Sequence, residues 1–356
     1  MTDLDLDECK VGEFVEQVLG VLVGGATAQM AYIGDRLGLY RELAAGGAAT
    51  PGELAARTGC AERYLAEWLA QQAAAGFVSY DPDTGRFALP AEHALVLATD
   101  DSPVTLAGAF EAMTGWHLGV DRLAEAFRSA DGISWDAHDE RVFRGVTRFF
   151  GAAYRTNLVG DWIPALGLEP VLRQGAHVAD IGCGQAVTTV LMAEAYPNSR
   201  FVGVDLHEAA IEQAHRRAAT AGVADRVRFE VADAASLDGG PYDVIWFFDC
   251  LHDLGDPIAA AARARNQLAE QGTVVLVEPF AHDGLGDNLT ANPGAGLHYT
   301  ASTFLCVPHS LSEPGQAALG AQAGGRQVAD TLRAAGLTHT EWVTATPIHA
   351  VFAARP

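Results

Sequence analysis

The chain has 356 residues, of which 49% are hydrophobic and 19% charged, the profile of a soluble globular protein long enough for two domains. Its 23 Lys and Arg against 45 Asp and Glu leave a net charge of −22, which repels nucleic-acid phosphates and anionic lipid and favours a neutral or cationic small partner. Five scattered cysteines (Cys9, Cys60, Cys183, Cys250, Cys306) form no C-x-x-C pair, so neither a disulfide framework nor a thiolate zinc site is indicated. The acidic start "MTDLDLDECK" is unlike a secretory signal, and no long apolar run is free of charged or polar breaks, so a cytoplasmic protein with no membrane partner is expected.

Residues 11 to about 98 read as helices followed by a hairpin. Thr50-Pro51 opens a helix, Gly59 turns the chain, and a second helix is expected to carry Tyr64, Leu65, Trp68 and Leu69 on one face. The short strands "GFVSY" and "RFALP" then flank the turn "DPDTG". That order is a winged helix-turn-helix, a DNA-reading architecture elsewhere. Here the would-be reading helix lacks a basic footprint, so packing or dimerisation is the expected role and no nucleic-acid partner is expected. Residues 100 to about 170 read as mostly helical, with aromatics at Trp116, Trp135, Phe143, Phe149, Phe150 and Tyr154; of these, Phe149 and Tyr154 are candidates for lining a substrate pocket.

From His177 onward short apolar strands alternate with helices: "HVADIG", "RFVGVD", "RVRFEVAD", "YDVIWFFD" and "GTVVLVEP", with helices expected at 187–196, 208–221 and 257–269. The alternation predicts an α/β domain with a parallel sheet, whose ligands bind at the carboxyl ends of the strands. In "VADIGCGQA" the glycines Gly182 and Gly184 follow Asp180 directly. A carboxylate there opposes a pyrophosphate, and Val187 stands where a dinucleotide fingerprint has its third glycine. A ligand with a cationic head and no phosphate, such as S-adenosylmethionine, suits the position better. Asp205 closes the second strand 21 residues after Gly184, the spacing of a ribose acceptor. Asp233 closes the third and can accept from an adenine amino group, with Ala234 leaving room for the ring; Leu206 and Phe248 complete the expected cofactor set.

With these motifs in place, residues 175 to about 280 resemble a class I S-adenosylmethionine-dependent methyltransferase of Rossmann-like fold: "VADIGCGQA" matches the glycine motif, "FVGVDLHEAAIEQA" the ribose motif and "EVADAA" the adenine motif. The whole chain resembles bacterial small-molecule methyltransferases that share their architecture with plant-type O-methyltransferases. The resemblance implies a homodimer built through the N-terminal domain and a histidine general base after the fourth strand, which falls on His252 of "LHD", with Glu278 as a candidate support. One departure is Ala186, where the family loop commonly has a third glycine.

The expected domains are therefore a winged-helix dimerisation domain at 1–100, a helical linker and substrate lid at 101–170, and the cofactor-binding domain at 171–356. Residues 281–322 are expected to be a long functional loop supplying His298, Tyr299, Ser302 and His309 to the pocket. A histidine-held metal would need His252, His298 and His309 to converge, and no helical two-histidine spacing supports one. The expected activity is methyl transfer to a small molecule, at a hydroxyl oxygen, in secondary metabolism. The alternatives are a ligand-sensing winged-helix regulator, a C-methyltransferase, or an enzyme that uses the cofactor without transferring its methyl group.

Overall fold

The computed structural model describes residues 6–356; residues 1–5, the start of the expected first domain, lie outside the described residues. The chain forms two compact units, one from residues up to Gly115 together with Glu140–Ala152, the other from Trp116–Asp139 and Ala153–Pro356. The segment read as one linker, 101–170, is thus divided between both units.

In the first unit, helix Pro51–Thr58 starts at a capping box in which the Thr50 hydroxyl and the Glu53 carboxylate each accept the other residue's backbone N–H. It ends at Gly59, whose φ of 71° suits a residue without a Cβ. Leu54 of this helix and Leu65, Trp68 and Leu69 of helix Glu62–Ala74 bury against Leu39, Tyr40 and Leu43. Tyr64 does not join them. It is 81% exposed, since it sits in the first helical turn about 90° from the centre of the stripe set by its neighbours. Strands β1 (Ser79–Asp81) and β2 (Arg86–Ala88) pair antiparallel as the wing. Helix Glu8–Arg36, 29 residues long, is by length and composition apolar enough to cross a membrane; within this unit Val11, Phe14, Val18, Leu19 and Leu22 are exposed along it.

The second unit holds a seven-stranded sheet. Its strands are β3 (His177–Ile181), β4 (Arg200–Asp205), β5 (Val227–Val231), β6 (Tyr242–Phe248), β7 (Leu268–Pro279), β8 (His339–Ala345) and β9 (His349–Arg355), in the order β5-β4-β3-β6-β7-β9-β8. The first five run parallel, and β9 and β8 add antiparallel pairs after β7. Chain order reverses between β3 and β6, so the crevice for a ligand opens at their carboxyl ends. The intervening helices are Val187–Ala195, Glu208–Thr220 and Pro257–Asn266; the last stops short of 269 because β7 begins at Leu268. The core beneath is continuous apolar surface from Ile181, Val204, Ile245, Phe247 and Leu276, the near-unbroken runs of strands covered on both faces.

The connection at 281–322 is mostly helical and not a loop. Leu285–Ala291, Ala295–Ala301 and Val307–Ser312 are α-helical, and Ser302–Cys306 is a π-helical turn joining the last two. Asn292, Pro293 and Gly294 interrupt it, as turn-forming residues do.

Candidate active site

β3 ends at Ile181 and the chain turns at Gly182 (φ 67°), where a Cβ would meet the Cys250 side chain at 2.8 Å. Gly184 (φ 52°) has open space on its side-chain face. Ala186 takes the position that favours glycine: it is fully buried and left-handed (φ 58°), and its N–H is held at 2.8 Å by the Cys183 carbonyl. The turn is anchored on the next strand, since the Gly184 N–H donates to Asp205 Oδ2 at 2.8 Å. Asp205 Oδ1 accepts the His207 N–H at 2.8 Å, so the carboxylate is fixed while each oxygen keeps a further lone pair. Burial raises the Asp205 pKa against those two bonds.

Asp180 lies under the turn. Its Oδ2 accepts from the Thr188 hydroxyl at 2.8 Å and the Thr189 hydroxyl at 2.5 Å, and its equally buried Oδ1 has no partner. Burial pushes this carboxyl up to about 6, the threonine bonds opposing. An orphaned carboxylate oxygen beneath an open glycine turn fits a ligand bearing a cation. Farther along the same sheet edge, exposed Asp233 caps a short turn through the Ala235 N–H at 2.7 Å, Ala234 is half-buried, and Leu206 is exposed. Phe248, at the end of β6, is buried and stacked on Trp246.

His252 stands in the short turn Leu251–Asp253 that follows β6. Its Nδ1 meets Glu278 Oε2 at 2.5 Å, and Glu278 Oε1 accepts the Leu251 N–H at 3.0 Å. Both side chains are buried, Glu278 in β7 and His252 in the turn just past β6, its parallel neighbour. His252 Nε2 faces Cys306 Sγ at 3.3 Å, at the end of the π-helical turn. Burial by itself would lower the His252 pKa; the Glu278 charge and the Cys306 contact outweigh it and hold it well above the usual imidazole value. Burial also pushes the neighbouring Asp253 carboxyl up to about 6.

The remaining pocket candidates come from several elements. His298 is buried with its Nδ1 3.2 Å from Gln322 Nε2, and burial lowers its pKa. Ser302 is buried and accepts the Ala321 N–H at 3.1 Å, while Tyr299 is half-buried. His309 Nε2 pairs with Glu313 at 3.2 Å. Among the described residues no group of three His, Cys, Asp or Glu is arranged to hold a metal. Phe149 belongs to the first unit, edge-on to Phe150. Tyr154 belongs to the second, where its hydroxyl donates to Asp249, whose other partner is His349 Nε2 at 2.9 Å.

Asp249, His349 and Cys306 escaped the sequence reading. Asp249 had a signal: it closes "YDVIWFFD" as the three expected cofactor aspartates close their strands. His349 and Cys306 had none, because their partners are 100 and 54 residues away.

Residues 172–313 match the family described as a methyltransferase domain, and residues 25–99 match the Rv2258c-like winged HTH domain. Among curated relatives, the 27-O-demethylrifamycin SV methyltransferase of Amycolatopsis mediterranei is 36% identical over 137 residues, 38% of this chain and 46% of that enzyme. The release factor glutamine methyltransferase of Chlorobaculum tepidum is 33% identical over 169 residues, 38% of this chain and 57% of that one. The chain thus spans about half the length of these relatives. Solved structures of similar fold include the mitomycin 7-O-methyltransferase MmcR (TM-score 0.70, 20% identity, 98% of this chain and 100% of that one). Another is CalO1, a methyltransferase in calicheamicin biosynthesis in its SAH-bound form (TM-score 0.68, 20% identity, 99% and 100%). The chain therefore pairs a segment similar to a methyltransferase domain with a preceding segment similar to a winged helix-turn-helix domain.

Proposed function

We propose that the chain transfers a methyl group from S-adenosylmethionine to a hydroxyl oxygen of a small molecule, as a cytoplasmic homodimer serving secondary metabolism. The observation that carries this reading is the buried His252–Glu278 pair at the strand-end edge that also holds the glycine turn and Asp180. Relatives named for rifamycin, mitomycin and calicheamicin chemistry support the metabolic setting.

Asp180, Gly182, Gly184 and Asp205 would hold the cofactor, with Leu206, Asp233, Ala234 and Phe248 completing its walls. When bound, the cofactor would supply an electrophilic methyl on a sulfonium, which passes in line to the acceptor oxygen with S-adenosylhomocysteine as the leaving group. The chain's own work is to bring oxygen and methyl into line and keep water out. Glu278 fixes the imidazole by Nδ1 and leaves Nε2 to take the hydroxyl proton as the new C–O bond forms. The acceptor hydroxyl takes the place of the Cys306 contact at Nε2, and Glu278 balances the resulting imidazolium. That same carboxylate raises the imidazole pKa, so the share of His252 free to act as a base grows as pH rises through that raised value.

The N-terminal domain, 1–100, we assign to dimerisation. The apolar residues exposed along Glu8–Arg36 support it, since a second copy would cover them. A DNA-reading role is opposed by helix Glu62–Ala74, whose one basic residue, Arg63, is paired with Glu67. The test is release of S-adenosylhomocysteine by the purified chain over a panel of phenols and alcohols. Release that depends on a hydroxyl compound is expected; conversion of the compound with no S-adenosylhomocysteine formed would identify a non-transferring reaction and overturn the reading.

A further inference from the structure

A fourth carboxylate stands at the strand ends. Asp249 follows Phe248 directly, on the strand beside the switch point, and its backbone is left-handed at φ 49°. Aspartate is among the few side chains that tolerate that region, and residues held there gather at functional positions. The conformation is held by the Asp249 N–H, which donates to the Val277 carbonyl at 2.7 Å.

The side chain is 8% exposed. Oδ2 accepts both the Tyr154 hydroxyl and His349 Nε2, and these two bonds tie the segments at 154, 249 and 349 together. Oδ1 has no partner and no water-accessible surface to speak of. A purely structural aspartate would be served by Oδ2 alone. The idle oxygen asks for a donor that arrives with a ligand.

What arrives must carry positive charge or a strong donor. Asp180 already offers an orphaned oxygen beneath the glycine turn, where the cofactor's cation would lie. Asp249 offers a second, and the whole chain's charge of −22 favours cations generally. Around Asp249 the side chains are aromatic and buried: Tyr154 lies 5.5 Å from Phe248 and 6.3 Å from Trp162, which is 5.4 Å from the His349 ring. Ring faces beside a carboxylate are the usual surroundings of an organic ammonium. Nearby His298 feels the charges of Asp249, His349 and His252 together, which places the anchor and the base in one electrostatic neighbourhood.

We propose that Asp249 Oδ1 anchors a protonated nitrogen of the methyl acceptor, making the acceptor an amino phenol or amino alcohol whose hydroxyl is presented to His252. The inference rests on the methyl-transfer reading for the word acceptor. It does not rest on it for the cation site.

Calorimetry on the full chain saturated with S-adenosylhomocysteine tests it, with tyramine, N-acetyltyramine and 4-ethylphenol as probes at neutral pH. All three share the phenol, and only tyramine carries an ammonium. Tyramine should bind at least about tenfold more tightly than either neutral probe, as a buried charge-assisted bond demands. In Asp249→Asn, which can still accept from Tyr154 and His349, that preference should fall below about threefold with S-adenosylhomocysteine affinity unchanged. Equal binding of the three probes by the parent, or no binding of tyramine, overturns the anchor whatever the variant does. An equal loss of S-adenosylhomocysteine binding in Asp249→Asn also overturns it, by giving Asp249 to the cofactor. Binding is read without turnover, so a failure of methyl transfer alone counts against the functional reading and not against the anchor.

Discussion

The two sides of the sheet's switch point are built differently. On the β3–β4 side, the glycine turn is held by groups close in the chain or on the next strand: Thr188 and Thr189 on Asp180, and the Gly184 N–H on Asp205. On the β6–β7 side, side chains converge from four distant segments, with Tyr154, Glu278, Cys306 and His349 gathered around Asp249 and His252. The first arrangement is short-range hydrogen bonding, from two hydroxyls and the backbone, to fixed carboxylates. The second is side-chain chemistry, and on the proposed reading it is where one acceptor would be told from another.

If the division is real, mutations on the two sides should separate chemistry from cofactor affinity. The largest effect belongs to His252→Ala, expected to lower turnover by about 10²–10⁴-fold with S-adenosylhomocysteine affinity nearly intact. Comparable loss of affinity in calorimetry would merge the two sides. Asp205→Ala should do the reverse, weakening S-adenosylhomocysteine by about 1.5–3 kcal/mol, roughly ten- to a hundredfold, because a charge-assisted bond is lost. Unchanged affinity would remove Asp205 from the cofactor side.

Glu278→Gln sharpens the β6–β7 side. It removes the negative charge that raises the His252 pKa, so the pH at which turnover rises should move down, and an unmoved profile would show that another group titrates. The smallest effect is Ala186→Gly. Relieving a left-handed alanine should stabilise the fold by up to about 1 kcal/mol in urea melts, the gain being offset in part by the freer unfolded glycine. A loss of stability would mean that the buried Ala186 methyl contributes more by packing than it costs in strain.

The same contrast explains what could be read from the sequence. Alternating strands and helices predict the parallel sheet, and Gly184 and Asp205 announce each other by spacing. His252 is visible because its short motif sits one turn beyond a strand. His349 and Cys306 are not, since each matters only through a partner that folding brings near, and Asp249 shows only as one more acidic strand end. The helices within 281–322 were hidden by Asn292, Pro293 and Gly294, whose local preference for turns masks the helical stretches on either side. Tyr64 shows the opposite failure: a residue next to a buried stripe stays in solvent because its place on the helix, about 90° from the centre of that stripe, turns it away from the core.

The measurement that bears most directly on the account is the fate of a labelled methyl group. With methyl-labelled S-adenosylmethionine and a hydroxyl acceptor, mass spectrometry and carbon NMR should find the label on oxygen, in step with S-adenosylhomocysteine, and lose both in His252→Ala. Label on carbon or nitrogen, or parental transfer by His252→Ala, would contradict it.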